Sequence, residues 1–444
     1  MSSDWASLTV GDLVRQGEAT IQTGPFGSQL HSHDYVAIGT PVIPTEAIGR
    51  GRILDIDVPR VDSSKAAELS RHRLRRGDIL FARRGAQATG LSAIVDERYE
   101  DALCGTGALL LRTQSPRVDP DYLAMFLSSD SSYRWLRAHA VGAVMPNLNT
   151  DIIKALPLVL PSIEEQRELA EFFGALDDRI ALLRESNATL EAIAQALFKS
   201  WFVDFDPVRA KQQGLAPAGM DEATAALFPD GFEESALGPL PRGWRALTLA
   251  EAFEINPSRS LRKGVEAKYL EMAGAPTSGH CADSITVRAF GSGTKFRNGD
   301  TLLARITPCL ENGKSAFVDF LEGDEIGWGS TEFIVLRPRA PLSEYTAYLL
   351  CRHAPFREFA ERSMSGTSGR QRVQNDVLAT FRIAVPPSAV AQSFGALVSP
   401  LRQAIASKHS RAATLGALRD ALLPRLISGQ LRLPEALAEM EEAA

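Results

Sequence analysis

The sequence predicts an α+β fold laid out as an internal repeat. Two mixed modules are each followed by one long helix, and the two helices pack as an antiparallel coiled coil with a pseudo-two-fold relation. Three observations predict it. RRGDILFARRG (75–85) is echoed by RNGDTLLARIT (297–307), which sets Gly77-Asp78 and Gly299-Asp300 222 residues apart. DIIKALPLVLP (151–161) matches DVLATFRIAVP (376–386) at an offset of 225, and Leu176, Leu190 and Leu197 match Leu401, Leu415 and Leu422 at the same offset. Finally, leucines recur every seventh residue at Leu169, Leu176, Leu183, Leu190 and Leu197, which is the period of a coiled-coil seam.

Each copy has the same order of elements. Ile79–Phe81, Ala108–Arg112, Thr301–Ala304 and Phe333–Arg337 are short apolar runs bounded by glycine or proline and read as strands. Pro120–Leu136 and Ser343–Arg362 read as helices. Ser162 with Glu165 three residues on is a capping box that opens the first long helix. Its leucines are accompanied by Phe173, Ile180, Asn187, Ala194 and Trp201, and Asp206-Pro207 ends the run. The alternative is a core helix within a globular domain. The second copy carries Phe394, Leu401, Lys408, Leu415 and Leu422 beside Val398, Ile405 and Ala412. Lys408 interrupts that stripe, either as a register-setting partner for Asn187 or a carboxylate, or as a snorkelling side chain. The seam residues expected are therefore Leu169, Phe173, Leu176, Ile180, Leu183, Leu190, Leu197, Leu401, Ile405, Leu415 and Leu422. The first helix leads from module one towards module two and the second leaves module two, so the compact pairing is antiparallel. A helix of about 40 residues is about 60 Å long, more than the roughly 34 Å of one turn of B-DNA.

Composition narrows the class. At 444 residues the chain supports two or three domains, each with its own core. Cys104, Cys281, Cys309 and Cys351 form no C-x-x-C pair, so neither a zinc ribbon nor a disulfide framework is expected, and a reducing cytoplasm fits. MSSDWASLTV has no basic stretch leading into an apolar core, and no long apolar run occurs, so neither secretion nor a membrane partner is expected. The net charge of −6 argues against a plain nucleic-acid binder. The charge is uneven, however: four acids lie in the last ten residues, while six arginines between Arg71 and Arg84 face only Asp78.

Catalytic signatures are lacking. No G-x-x-x-x-G-K-[ST] loop occurs, and Gly291-Ser292-Gly293-Thr294-Lys295 is only superficially similar. His31-x-His33 and His280-Cys281 lack the spacing of a closed metal site, so no metal ligand and no catalytic residue is assigned. Gly24, Gly27 and Gly85 read as turn formers, since no G-x-G-x-x-G opens a helix after a strand.

TGPFGSQL (23–30) followed by PVIPTEAI, RGDILFARRG, MPNLNTDIIKALPLVLPSIEEQRELAEFF (145–173) and LFKSWFVDFDPVRAK (197–211) together resemble the DNA-specificity subunit of type I restriction-modification enzymes. LGPLPRGWRALTL (237–249) resembles the entry to a second recognition module. The resemblance implies four segments: a first target-recognition domain (1–158), a helical spacer and linker (159–237), a second target-recognition domain (238–385), and a second helical region with an acidic tail (386–444). It also implies a non-catalytic chain that binds double-stranded DNA and holds no cofactor itself. Two modification subunits carrying S-adenosylmethionine would methylate adenine N6, and restriction (motor-nuclease) subunits using ATP and Mg would join for cleavage. The adenine-methyltransferase loop Asn-Pro-Pro-aromatic is missing, since Asn256-Pro257-Ser258 lacks the second proline and the ring. The second copy departs from the family pattern with SAVAQ (388–392) in place of SIEEQ, losing both acids and the capping box.

Base and phosphate contacts to DNA favour arginine, lysine and glutamine. The candidates are Arg71, Arg73, Arg75, Arg76, Arg83, Arg84 and Gln87 in the first module, and Arg259, Arg262, Lys263, Lys295, Arg297, Arg305, Arg370 and Arg372 in the second. For each, a solvated surface side chain is the alternative. At the level of the whole chain the alternatives are an enzyme with unfamiliar motifs and a coiled-coil scaffold or adapter that binds protein rather than DNA.

Overall fold

The computed structural model describes residues 5–85, 87–142, 145–367 and 369–443. The chain forms two compact units, residues 1–179 with 414–444 and residues 180–413. The long helices Ile163–Lys199 and Ser388–Ile427 each contribute to both units, so the division runs through the helices.

In the first unit the module is entered and left through one ladder, Ala6–Thr9 antiparallel to Pro157–Leu160. Thr9 then starts the helix Val10–Arg15 with a capping box: its hydroxyl accepts from the Asp12 amide, and the Asp12 carboxylate accepts from the Thr9 amide. The main sheet runs Ala19–Thr23, Ala108–Thr113, Ile79–Ala82, Ser92–Ile94, Gly51–Arg52. Its central strands read as continuous apolar runs because both faces are covered. Ile79, Phe81, Leu109 and Leu111 enter one core with Tyr122 and Leu123, while Leu80, Ala82, Ala108 and Leu110 enter a second core with Ile43 and Val95. A smaller sheet runs Tyr35–Val36, Arg60–Val61, Thr40–Ile43, Leu103–Cys104. The helix expected over 120–136 is two helices, Pro120–Ser128 and Asp130–His139. Ser129 breaks it: its backbone is extended, and its hydroxyl caps the Ser132 amide of the second helix.

The second unit repeats the plan. Arg245–Thr248 pairs with Arg382–Val385, and Thr248 caps Leu249–Ala252 with Glu251 as its box partner. The main sheet runs Phe253–Ile255, Phe333–Pro338, Thr301–Ala304, Ser315–Phe317, the same order as in the first unit. The smaller sheet runs Thr286–Ala289, Glu266–Leu270, Gly327–Gly329, Thr294–Phe296. The helix expected over 343–362 is again two, Tyr345–Arg352 and Ala354–Arg362, parted at the extended His353, with Pro355 in the first turn of the second.

The repeated Gly-Asp pair is a structural turn whose backbone hydrogen bonds are the same in both copies. Gly77 and Gly299 sit at φ +84° and +86°, a conformation that excludes most other residues. Asp78 and Asp300 accept from the Arg75 and Arg297 amides, both at 2.8 Å, and the Asp78 and Asp300 carbonyls accept from Val95 and Val318. Both carboxylates are buried, 2% and 0% exposed, and each is met by an arginine from the neighbouring strand. Arg112 reaches Asp78 at 2.6 Å, and Arg337 reaches Asp300 at 2.6 Å. Asp300 accepts in addition from Arg259 at 2.6 Å.

The long helices pair within each unit. In the first, Leu169, Phe173 and Leu176 share a core with Leu422 and Leu426, and Asp177 pairs with Arg419. In the second, Leu197 and Phe198 share a core with Phe394, Val398 and Leu401, and the Asn187 amide donates to the Ile405 carbonyl at 3.1 Å. Residue numbers rise along one helix as they fall along the other, so the pairing is antiparallel. Ile180, Leu183 and Ile405 are buried, while Leu190 and Leu415 are half-buried. Lys408 does not meet Asn187, whose partner is a backbone carbonyl. The Ser162–Glu165 capping box forms as expected. Asp206-Pro207 does not end the run: the helix closes with a wider π turn (Ser200–Asp204) and Phe205 at φ +56°, and Asp206 and Pro207 start the next helix, Asp206–Gln212.

Removing the charge from these buried aspartates leaves guanidinium groups without compensation. Asp300→Asn is expected to destabilise the second unit by about 3–5 kcal/mol. Asp78→Asn is expected to cost the first unit less, because it strands one arginine where Asp300→Asn strands two. Urea unfolding of the purified variants measures both, and wild-type midpoints would refute the structural role.

Candidate nucleic-acid interface

The arginines proposed from sequence separate into two groups once their partners are known. In the first module Arg75, Arg76, Arg84 and Gln87 are exposed, and the Arg75 side chain has no ion-pair partner among the described residues. Arg76 pairs with Glu97 at 2.9 Å and Arg73 with Asp101 at 3.4 Å, both at the surface, where such pairs are weak and open readily to a phosphate. Arg71 lies exposed beside the fully buried His72 and donates to its Nε2 at 3.1 Å. Burial, with Arg71 adjacent, holds the His72 pKa below its usual value, consistent with a neutral ring that accepts. Arg83 is partly committed to the frame: its Nε donates to Asn147 Oδ1 at 3.1 Å.

The loop that carries Arg84 and Gln87 is braced from beneath. The Thr89 hydroxyl spans the Gly85 and Pro146 carbonyls, and Asn147 forms a backbone bridge with Arg84. MPNLNTD therefore acts as a support for the arginine loop, and its Asn149 caps the helix Thr150–Ala155. Gly24 of TGPFGSQL packs against backbone: a Cβ there would lie 1.9 Å from the Gly105 carbonyl oxygen, so only glycine fits. Gly24 is thus a packing residue, whereas Gly27 is open to solvent.

In the second module four of the eight candidates serve the frame. Arg259 is a correction to the sequence expectation: its side chain is 7% exposed and held by Asp300, so it faces no ligand. Arg305 donates to the Val373 carbonyl, and Lys295 donates to the Arg259 carbonyl while lying over the Phe290 ring. Arg372 grips Glu332 with both nitrogens, and its hydrogen bonds hold the Glu332 carboxyl below the usual range. Arg262, Lys263, Arg297 and Arg370 remain exposed. Sequence reasoning missed Arg288, which lies over the Tyr269 ring on the exposed strand Thr286–Ala289 and pairs at the surface with Glu271 at 3.2 Å; its signal was the acid-free run 284–299.

Other chemistry is limited. Burial pushes the Cys104 and Cys351 thiols up to about 12, which suits them as packing groups rather than thiolates. His31, His33 and Asp34 do come together, their ligand atoms within 4.8 Å of one another, a cluster the spacing argument passed over. The Lys65 ammonium already sits 3.4 Å from Asp34 and balances its charge. No helix among the described residues is long and apolar enough to cross a membrane.

Residues 3–192 match the family model of the type I restriction modification DNA specificity domain. The chain is similar to the HindI type I specificity subunit of Haemophilus influenzae, 28% identical over 216 residues, covering 48% of this chain and 44% of that protein. It is also similar to the MjaIX type I specificity subunit of Methanocaldococcus jannaschii, 23% identical over 329 residues, covering 72% of this chain and 70% of that one. The match thus spans less than half the length of the first of these relatives. The fold is shared with the crystal structure of a type I restriction-modification S subunit from M. genitalium, at a TM-score of 0.55 and 16% identity over 96% of both chains. With that domain model matched over residues 3–192 and that fold along nearly its whole length, the chain is similar to the type I restriction-modification specificity subunits.

Proposed function

We propose that this chain is the non-catalytic subunit that chooses the DNA site for a type I restriction-modification complex, each module reading one short element of a bipartite, asymmetric target. One observation carries the reading. The same frame occurs twice, down to the hydrogen bonds of the Gly-Asp turn, yet the exposed side chains above it differ between copies. Duplicated frames with unlike surfaces suit two unlike base sequences. The first module would use Arg71, Arg73, Arg75, Arg76, Arg84 and Gln87, and the second Arg262, Lys263, Arg297 and Arg370, with phosphate contacts providing affinity and base edges providing choice.

The helices set the gap between the two elements in this reading. They contain 37 and 40 residues, about 55 and 60 Å of helix. They also offer a surface to partners: Leu182 and Ile193 are 52% and 45% exposed on one face of the first helix, with Ser186, Thr189 and Ala196 between and beside them. That stripe recurs at intervals of three and four residues and suits the helices of modification subunits. The proposed assembly has two such subunits, carrying S-adenosylmethionine for adenine methylation, and restriction subunits using ATP and Mg for cleavage, all in the cytoplasm. A scaffold that binds only protein is the competing reading, and the exposed cationic loops of both modules favour DNA.

Methylome sequencing of cells carrying the system is expected to return two short specific elements separated by a fixed nonspecific gap; a single uninterrupted motif would refute the two-module reading. Deleting one heptad from both helices is expected to shorten the gap by about three base pairs, since seven residues span about 10 Å, while both elements stay unchanged. Altered elements would show that reading and spacing are not separable. Binding of the partner-bound complex to duplex DNA is expected to fall by orders of magnitude between 50 and 200 mM salt, as about 6–10 phosphate contacts require. Salt-independent binding, or none, would favour the scaffold.

A further inference from the structure

The smaller sheets of the two modules share a plan but end differently. In the first, Thr40–Ile43 lies parallel to Leu103–Cys104 and antiparallel to Arg60–Val61, and Tyr35–Val36 then covers the far side of Arg60–Val61. In the second, Glu266–Leu270 lies parallel to Gly327–Gly329 and antiparallel to Thr286–Ala289, and among the described residues no further strand follows. Thr286–Ala289 is therefore a free edge, and all four of its residues are exposed. The pairing continues past its end, with the Gly264 amide donating to the Phe290 carbonyl at 2.8 Å and the Phe290 amide to the Val265 carbonyl at 2.7 Å. Because Glu266–Leu270 pairs with Gly327–Gly329 only at Tyr269 and Leu270, the outer part of the pair leaves the four-stranded sheet as a two-stranded ribbon.

Three properties of this ribbon point the same way. The first is charge: residues 256–265 and 284–299 contain no aspartate or glutamate and carry Arg259, Arg262, Lys263, Arg288, Lys295 and Arg297, in a chain whose net charge is −6, while the acids at the ribbon itself are the exposed Glu266, opposite Ala289, and Glu271, which pairs with Arg288 at 3.2 Å. Within this set Arg259 and Lys295 anchor the base of the ribbon, and the exposed Arg262 and Lys263 side chains have no ion-pair partner among the described residues. The second is support: the Trp328 indole donates to the Arg288 carbonyl at 3.3 Å, and its ring packs against Tyr269 and Phe290. The ribbon is held rigidly from one side and open on the other. The third is an aliphatic tip: Val287 is 62% exposed, and on an alternating strand it shares a face with Ala289, while Arg288 turns the other way over Tyr269. Arg288 supplies the charge that ordinarily blunts such an edge, and Val287 beside it leaves an aliphatic surface open on the opposite face.

A two-stranded ribbon is one of the two backbone forms that the major groove of B-DNA admits, and an aliphatic side chain there meets the thymine methyl. We propose that the ribbon formed by residues 265–270 and 286–290 is the base-reading element of the second module, with Val287 against a thymine methyl and Arg262 and Lys263 on the flanking phosphates. This deepens the DNA-reading function proposed above and rests on it. The first module, whose corresponding edge is covered, reads its element by other means.

The test uses the complex assembled with its modification subunits. Val287→Thr and Val287→Asn change an exposed side chain, so both complexes are expected to melt as wild type does. Methylome sequencing should show discrimination at one position of the second element weakened about tenfold, with the first element and the gap untouched. Arg262→Ala combined with Lys263→Ala should weaken binding to every duplex alike and lower the salt slope by about 1.8, the value for two phosphates. If both Val287 variants leave the second element unchanged, or if both elements relax together, the ribbon does not read bases and the proposal is overturned. Failure of the underlying reading would appear separately, as an uninterrupted motif or salt-independent binding in the unaltered complex.

Discussion

A helix of 37 residues gains little from its own backbone and depends on cover for its apolar row. Here that cover comes from the other long helix, and most of what the chain can do follows from this. Each helix enters the core of both units, so neither is a connector laid between finished domains. Leu169 and Phe173 are as much part of one module core as Phe198 and Trp201 are of the other. The two readings of the heptad, coiled-coil seam and domain core, are both realised along one helix. Gln166 shows how firmly the join is made: fully buried, it accepts from the Asp119 amide and donates to the Arg117 and Pro161 carbonyls. The helix start is thereby bolted to the module by one side chain whose three bonds would otherwise be orphaned.

The same economy governs the modules. A carboxylate on a glycine turn, held by an arginine from the next strand, organises each main sheet and uses the very motif that seemed to advertise DNA contact. Arg112, Arg259 and Arg337 are consumed by it, while Arg75 and Arg297 are tied to it only through their amides and keep their guanidinium groups for solvent. Frame and surface are thus separable within one short segment. That separation is what lets one frame carry different exposed residues without loss of the fold.

Much of this was legible in the sequence. The heptads, the capping box at Ser162 and the Gly-Asp repeat rest on local rules of periodicity and turn chemistry, and all appear where those rules put them. The break at Ser129 was not legible, because no proline or glycine marks it, whereas the one at His353 had a signal in Pro355, which starts the second helix. The matching ladders at Ala6–Thr9 and Arg245–Thr248 had a readable signal, Thr-x-x-Asp and Thr-x-x-Glu after a tryptophan, in Trp5 to Asp12 and Trp244 to Glu251. Which arginines face outward could not be read, since Arg259 and Arg262 differ only in a partner 41 residues away from the first of them. Pairings of that kind belong to tertiary structure.

The acidic net charge, which first spoke against nucleic acid, has a consistent place in this arrangement. Between residues 163 and 185 the first long helix carries seven acids against three bases, and Glu435 and its acidic neighbours close the chain. The basic residues lie instead on the loops and edges of the modules, where residues 256–265 and 284–299 are free of acids altogether. A polyanion is repelled from the first kind of surface and drawn to the second, over distances of about the 8–10 Å screening length. For a protein proposed to hold DNA at two points and partner proteins between them, the sum of charges is uninformative and their segregation is the useful quantity. A uniformly basic chain would attract duplex anywhere along its length and leave the modules no advantage over the helices.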